Sequence, residues 1–274
     1  MRRGVGITAV VIGLLALVAA VLSFTGGVTS FRHLGPLFTS APLVRGERRI
    51  SLTAGTVVSV NAAAARVTVQ NGPAGRLSVH YDLPRGSFHL HRSGSRVSVR
   101  DVGRSFDLGL LTGTPTLTVT VPVGTVLRVS STAGSVTVRG AYSTMILSAT
   151  AGAITLEQIS TTSLHATTEA GPFSASFVTA PRRMVIAVAA GSIVVSGPWA
   201  RIESLNDATG SITLNGEPSV RTDVSVAVSA GQVSSGMVGI RSEVNGIVGG
   251  IVGSGPRTGR LTIRAADGSV TINP

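Results

Sequence analysis

The feature that most constrains this chain is a glycine that recurs about every 19 residues through its second half. An apolar residue follows each of these glycines by two places, and the residue five places earlier is large and apolar in all copies but one. The repeat glycines are Gly134, Gly152, Gly171, Gly191, Gly210, Gly231, Gly249 and Gly268. A fixed period of this length is typical of architectures whose stacked units bury a shared core.

Alternating apolar and polar residues on both sides of each glycine predict two short strands per repeat. The fold expected is therefore all-β: a β-solenoid with coils of about 19 residues. The segment GIVGGIVGSG at 246–255 is interpreted as two of its corners. An antiparallel β-sandwich is the alternative, because it explains the alternation but not the even period.

The chain divides by pattern into a regular part at 122–274 and a less regular part at 46–121. Alternating runs such as ARVTVQ at 65–70 predict strands in the less regular part as well. We expect residues 46–121 to continue the same body as irregular β coils or to cap it.

The N-terminus predicts a membrane segment. Arg2 and Arg3 precede 21 uncharged residues at 4–24, enough for a helix of about 30 Å across a bilayer. A cleaved signal peptide is the alternative, although its apolar region is usually shorter. An uncleaved anchor would leave residues 1–3 in the cytoplasm, 25–45 as a linker, and the rest outside a single-pass cell membrane.

The formal charge of +11 comes from arginine alone, since the chain has no lysine. The excess lies mainly before residue 122, and Arg45, Arg48 and Arg49 form its densest cluster. These three arginines are candidates for contact with an anionic membrane surface or wall polymer, against the simpler interpretation of a solvated face. Nucleic-acid binding is not expected, because few aromatic residues are available for base stacking.

Candidate chemistry is sparse. The chain has no cysteine, which excludes disulfides and thiolate ligands. His89 and His91 share one face of a predicted strand, with His80 and Asp82 one strand earlier, but no second cluster supports a metal site. The sequence predicts no catalytic residues, metal or cofactor.

Paired carboxylates are relevant because a β-solenoid can be an enzyme that cleaves glycosidic bonds, and that reaction needs two acids about 5–9 Å apart. Glu203 lies near Asp207, and Glu217 near Asp223, but neither pair repeats in adjacent units. We interpret these acids as exposed groups that keep the protein soluble.

One stretch resembles a known family. Leu117 to Gly140 reads LTVTVPVGTVLRVSSTAGSVTVRG, and Ala149–Leu156 and Ala208–Leu214 continue its small-small-Gly-x-apolar pattern. This is similar to the bacterial "putative adhesin" family with β-strand repeats, over about residues 46–274. The resemblance implies a β-helix-like body exposed outside the membrane, and it implies no reaction.

The chain departs from that family at one column. Family members often carry Asp directly after the repeat glycine, whereas Ser, Ala, Pro, Gln or Gly stands there in this chain. A carboxylate ladder for calcium is therefore missing, and we expect no calcium sites.

Together these patterns favour a non-enzymatic, membrane-anchored, extracytoplasmic protein with an adhesin-like or envelope-sensing role. Its partner would be a cell-envelope polymer, an anionic membrane surface or another envelope protein. One alternative is a carbohydrate-active enzyme on a β-helix scaffold. Another is a structural module that self-associates through its open ends, one of them the short polar end Thr271–Pro274.

Overall fold

The computed structural model describes residues 42–53, 55–103, 114–178, 182–197, 202–216, 221–237, 243–244, 246–253 and 257–274. Within this part of the chain all regular structure is β, in one sheet that mixes parallel and antiparallel pairs. The all-β prediction is confirmed. The predicted membrane segment at 4–24 lies outside the described residues, and within them no helix is long and apolar enough to cross a membrane.

The described residues contribute seventeen strands to the sheet. They are β1 (Leu43–Ser51), β2 (Val57–Ala62), β3 (Arg66–Gly72), β4 (Arg76–Pro84), β5 (Phe88–Ser93), β6 (Arg96–Asp101), β7 (Thr116–Pro122), β8 (Thr125–Ser131), β9 (Val136–Ala151), β10 (Ile154–Ala170), β11 (Phe173–Ser176), β12 (Arg183–Ser196), β13 (Ile202–Asn215), β14 (Arg221–Ser235), β15 (Glu243–Val244), β16 (Ile247–Val252) and β17 (Arg257–Asn273).

The sheet is built from repeated units that we call rungs, each with a leading arm before a corner and a trailing arm after it. Neighbouring rungs pair in parallel, so equivalent residues stack: Gly191 pairs with Gly210, and Ile193 with Ile212. In spatial order, rungs 1 to 9 are β6–β7, β2–β3, β8 with the start of β9, the end of β9 with the start of β10, the end of β10 with β11, β12, β13, β17 and β14.

The core follows from the alternation predicted for each arm. In rung 7, Leu205 on the leading arm and Ile212 and Leu214 on the trailing arm are fully buried. The same columns in the other rungs supply mainly Val, Ile and Leu, with Phe173 as the bulkiest fully buried side chain among the described residues. Because strand side chains alternate, one face of each arm fills the core and the other faces out.

The repeat glycines are required at the corner between the two arms. Gly152 has a φ of +146°, and a Cβ placed on it would lie 2.5 Å from the carbonyl oxygen of Gly134 in the rung beside it. The equivalent Cβ atoms on Gly171, Gly191, Gly210, Gly268 and Gly231 would each meet the carbonyl oxygen of the neighbouring corner glycine. Only glycine combines this positive φ with so close a backbone approach.

The rungs do not stack in chain order. The C-terminal strand β17 lies between β13 and β14: Gly268 pairs with Gly210 on one side and with Gly231 on the other. The prediction that Thr271–Pro274 forms an open end is therefore wrong, because Thr271 pairs with both Thr213 and Ser234. Equal spacing in sequence identifies the rungs but not which rungs are neighbours.

The glycine at 249 is not a corner. Strand β16 runs antiparallel to the leading arm of β14, with Gly249 opposite Ser225. Ile251 is 38% exposed, although the repeat pattern placed it in the core. The interpretation of 246–255 as two corners is therefore wrong, because Ile247–Val252 within it forms an antiparallel edge strand instead.

The first part of the chain supplies two rungs and one edge of the body. Strands β2–β3 and β6–β7 pair in parallel with each other, and β2–β3 also pairs with rung 3. The remaining strands are antiparallel: β5 adds to β6, β4 adds to β7, and β1 adds to β4. These three strands have no counterpart in the 19-residue repeat.

Replacement of a corner glycine should be costly. We expect Gly152→Ala to lower the free energy of unfolding by about 2–4 kcal/mol, because alanine is strained at positive φ and crowds the Gly134 carbonyl. Gly249→Ala is the control, since its Cβ would meet no atom closer than 3.5 Å. Urea denaturation measures both, and equal losses would contradict the stacking of the corners.

Cysteine pairs can test the inserted strand, since the chain has no cysteine of its own. Thr213→Cys with Thr271→Cys should form a disulfide, because these residues are paired neighbours in adjacent rungs. Thr213→Cys with Ser234→Cys should not, because Thr271 lies between them and two rung spacings amount to about 10 Å. The reverse result would restore the chain-order stack.

Candidate binding groove

A groove of about 630 Å³ crosses the outer side of rungs 5 to 9, where the leading arms approach the glycine corner. Five rungs span about 19 Å at the usual strand spacing. The groove follows the column four places before each repeat glycine, which register places side by side as Thr167, Ala187, Asn206, Arg264 and Ala227. It therefore runs across the strands, along the stacking direction.

Both hydrogen-bond donors and hydrogen-bond acceptors face this groove. Arg264 is exposed and makes no ion pair among the described residues, although other arginines such as Arg139 do. Next to it, Asn206 donates a hydrogen bond to Ser204 Oγ at 3.2 Å, and Thr167 lies two rungs further along. Glu169 is exposed on the rim. The groove therefore offers hydrogen-bond donors and acceptors at rung spacing.

Small side chains separate these polar groups. The groove residues Ala187, Ala189, Ala208, Ala227 and Ala266 leave the backbone of the leading arms accessible. Methyl groups at this spacing give a ligand an apolar floor to lie on, while the polar groups fix its orientation.

Two polar side chains are buried on the inner side of the groove. Thr168 and Asp207 are each 3% exposed, and they occupy the same column two rungs apart, separated by Val188. Neither the Thr168 hydroxyl nor either Asp207 carboxylate oxygen has a hydrogen-bond partner among the described groups. Buried polar atoms are usually paired, so this column departs from the rest of the core.

Burial raises the pKa of Asp207 above its usual value, because the charged carboxylate is poorly solvated there. The backbone amide of Thr209 is near enough to offset part of this effect, although its geometry falls short of a hydrogen bond to the carboxylate. The carboxylate also lies against the corner, since a Cβ on Gly210 would be 2.9 Å from Asp207 Oδ2. Asp207 is thus an acid held in an apolar corner, with alanine and valine as its neighbours in register.

The interpretation of Glu203 and Asp207 as exposed acids is wrong. Glu203 is 1% exposed and Asp207 is 3% exposed. Both lie on the inward face of β13, Glu203 two residues before the buried Leu205 and Asp207 two residues after it. The companion pair is only partly described, since Glu217 lies outside the described residues and Asp223 is partly exposed.

The three arginines predicted to act together are divided between two faces of β1. Arg45 and Arg49 lie on one face, where Arg45 pairs with Asp82 at 3.3 Å and Arg49 pairs with Glu47. Alternation places Arg48 on the opposite face, across from Val79. The cluster is therefore smaller and more neutralised than the sequence suggested.

Glu47 is the centre of the charge network on β1. Its carboxylate accepts from Arg49, and it also lies near His80 Nε2 at 3.5 Å and Ser78 Oγ at 3.4 Å. The hydrogen bond from Arg49 lowers the pKa of Glu47, with smaller contributions from the charges of Arg49 and His80. Arg49 is therefore paired with Glu47 and is not free to contact an anionic surface.

The histidines do not converge. His89 and His91 are both exposed on β5, opposite Arg100 and Ser98, while His80 lies on β4 in the network with Glu47. Asp82 is engaged by Arg45. Within the described residues, no three His, Cys, Asp or Glu side chains come together in a way that could hold a metal ion.

The groove was missed in the sequence, although a signal for it was present. Alignment on the repeat glycines puts Thr167, Asn206 and Arg264 in one column, four places before the corner. Since the column five places before the corner is buried, alternation also places the column three before it, with Thr168 and Asp207, inside. Both the groove column and the buried column are visible only when the repeats are aligned, and not from single acids.

The buried carboxyl predicts a pH-dependent stability. The folded-state pKa of Asp207 is raised, so the unfolded chain ionises first and stability falls as the pH rises from about 4 through the folded pKa. Asp207→Asn should remove this fall and should be more stable by about 1–3 kcal/mol at neutral pH. Thermal unfolding across pH 3–8 measures the difference.

Asp267→Asn is the matched control, because Asp267 is exposed on β17 near the same corner. We expect it to change stability by less than about 0.5 kcal/mol. If Asp207→Asn followed the pH profile of the wild type, the carboxyl would not be an unpaired buried acid.

Comparison with known proteins identifies structural neighbours only. No family model matches the chain, and no curated protein matches it. A "putative cell adhesion protein" from Clostridium sporogenes is similar at 9% identity, covering 84% of this chain and 99% of that chain with a TM-score of 0.43. A "putative adhesin" from Bacteroides fragilis is similar at 10% identity, covering 86% of this chain and 99% of that chain with a TM-score of 0.47.

A third solved structure, a "putative lipid binding protein" from Parabacteroides distasonis, is similar at 11% identity and a TM-score of 0.35, covering 83% of this chain and 96% of that chain. These structural neighbours carry different functional names, adhesion for two of them and lipid binding for the third. At TM-scores below 0.5 the adhesion and lipid-binding names belong to those proteins, and the function of this chain has to be argued from its own groove.

Proposed function

We propose that this chain is a non-enzymatic, adhesin-like protein that holds a polyhydroxylated polymer of the cell envelope along the groove of rungs 5 to 9. In this proposal the apolar segment at 4–24 anchors the protein in the cell membrane, and the stacked rungs form a β-solenoid outside it. The observation that carries the proposal is the groove itself, which places donors, acceptors and methyl groups at regular spacing across five rungs.

The chemistry of the groove favours hydroxyl groups. A hydroxyl can both donate and accept, so it can satisfy the Arg264 guanidinium, the Asn206 amide, the Thr167 hydroxyl and the Glu169 carboxylate alike. The alanine methyls suit the apolar C–H surface of a sugar ring. A linear polymer fits better than a compact molecule, because the groove extends across five rungs along the stacking direction.

An enzymatic role is the second candidate, since the groove contains two carboxyl groups and one of them, Asp207, has a raised pKa. Their placement favours binding instead. Glu169 is exposed while Asp207 is buried, and Asp207 faces inward from its strand, so the two do not flank one bond from the groove side. We therefore expect no release of reducing ends when the protein is incubated with cell walls.

A second contact in this proposal is electrostatic and lies on β1, away from the groove residues. Arg48 on β1 is exposed and outside the described ion pairs of Arg45 and Arg49. It can support contact with anionic lipid or wall polymer, at about 1 kcal/mol for an arginine near such a surface. This contribution is smaller than that of the groove and weakens as salt is added.

The proposal is tested by co-sedimentation of the full chain with isolated cell walls and with anionic liposomes over a salt series. We expect wall binding that falls at least tenfold in the Asn206→Ala/Arg264→Ala variant, because each lost hydrogen bond to a charged or polar group costs about 1–3 kcal/mol. Arg260→Ala is the matched control: Arg260 is an exposed arginine on the same strand and is not part of the groove.

Two outcomes would contradict the groove as the site. Equal losses in the groove variant and in Arg260→Ala would indicate a general effect of charge. Loss of binding only in the Arg45→Ala/Arg48→Ala/Arg49→Ala variant, with steep salt dependence, would move the contact to β1.

A further inference from the structure

The two ends of the stack differ in how they protect their edges. At the rung 1 end the outer strands are β1 and β5, which carry Arg45, Arg48 and Arg49 on one and His89, His91 and Arg92 on the other. Charged side chains on an edge strand oppose pairing with another chain. At the rung 9 end, the short strand β15 with Glu243 adds to the trailing arm of β14, and strand β16, which adds to the leading arm, reads IVGGIV and carries no charge.

Strand β16 is apolar on both of its faces. Val248 and Val252 point inward and are buried, while Ile247 is 77% exposed and Ile251 is 38% exposed. Among the described residues β16 pairs only with β14, on one of its two edges. An apolar, uncharged edge strand of this kind is a template for addition of another strand.

We propose that β16 pairs with β16 of a second copy of this chain, antiparallel across a twofold axis at Gly249. A register centred on Gly249 places Ile247 opposite Ile251 of the second copy, and the same pair forms again on the other side of the axis. Because directly opposite residues share a face, the four exposed isoleucines then cover one another. Val248 and Gly250 pair on the inner face.

Charge favours pairing of β16 with the β16 of a second copy over pairing with the other edge strands, β1 and β5. Pairing of β16 with β1 or β5 of a neighbouring molecule would set arginines beside Ile247 and Ile251, with no acid on β16 to neutralise them. Pairing of β16 with itself brings no charged side chain to the new strand pair. An isologous contact of this type closes as a dimer, so growth stops at two copies.

The interface is small. A six-residue strand pair covers less than the roughly 1,200 Å² typical of a stable complex, so the dimer depends on protein concentration. The dimer does not rest on the function proposed for the groove, although Ile247 of β16 pairs with Ala227 at the rung 9 end of the groove.

The test uses the absence of native cysteine. Gly249→Cys in the full chain puts two thiols on the twofold axis, where opposite Cβ atoms of an antiparallel pair approach to about 4.5–5.5 Å. The substitution is tolerated, since φ at this glycine is not positive and its Cβ would have 3.5 Å to the nearest atom. Opposite Cα atoms of an antiparallel pair lie about 4.5–5.5 Å apart, within the span of a disulfide, so mild oxidation should yield a disulfide-linked dimer, detected on a non-reducing gel.

Ser93→Cys is the matched control, an exposed residue of the opposite edge strand β5. Its yield of linked dimer should be at least tenfold lower. Adding Ile247→Lys and Ile251→Lys to Gly249→Cys should reduce the linked dimer to the level of the control, because like charges then meet across the axis. Circular dichroism on that variant confirms that it remains folded.

Equal yields from Gly249→Cys and Ser93→Cys would overturn the proposal, since linkage would then reflect random collision. A linked dimer that persists at full yield with both lysines would overturn it as well. Sedimentation velocity of the wild type gives an independent measure, and we expect a monomer–dimer equilibrium that the two lysines shift to monomer.

Discussion

The structure depends on the close backbone contact between corner glycines of neighbouring rungs. Backbone hydrogen bonds continue through this corner, as from Gly152 N to Ala170 O at 3.0 Å and from Gly171 N to Ala190 O at 2.9 Å. A side chain at the corner would push the rungs apart and break the pairing of both arms. The columns of Val, Ile and Leu in the core can stay in register only because the glycines let the backbones approach.

Parallel stacking in register also explains why a surface feature can extend over several rungs. Each column repeats one environment, so a small residue at one level beside a small residue at the next makes a continuous groove. The same rule makes Asp207 conspicuous, because every described neighbour in its column is neutral. Retention of an unpaired acid there costs stability, and its position directly behind the groove connects that cost to the surface where we place binding.

Every stack of strands has two ends, and this chain treats them differently. Antiparallel strands close the first end and present arginine and histidine outward, with Arg45 and Arg49 held by Asp82 and Glu47. At the other end the leading arm is bordered by an uncharged strand with two exposed isoleucines, and the trailing arm by the short strand β15 with Glu243. Insertion of β17 between β13 and β14 removes the C-terminus from that end, so that β16 is left as the outermost strand.

The sequence by itself determined the all-β class, the corner glycines and the buried columns, because these depend on local alternation and on the φ that only glycine adopts freely. It also contained the groove column and the inward placement of Asp207, although both require alignment of repeats to be seen. Only the tertiary structure decided which rungs are neighbours, that Gly249 lies on an edge strand, and that Asp82 of β4 faces Arg45. The physical reason is that rungs of equal length and similar apolar pattern present nearly equivalent edges, so their order follows from the contacts of the whole body and not from any local signal.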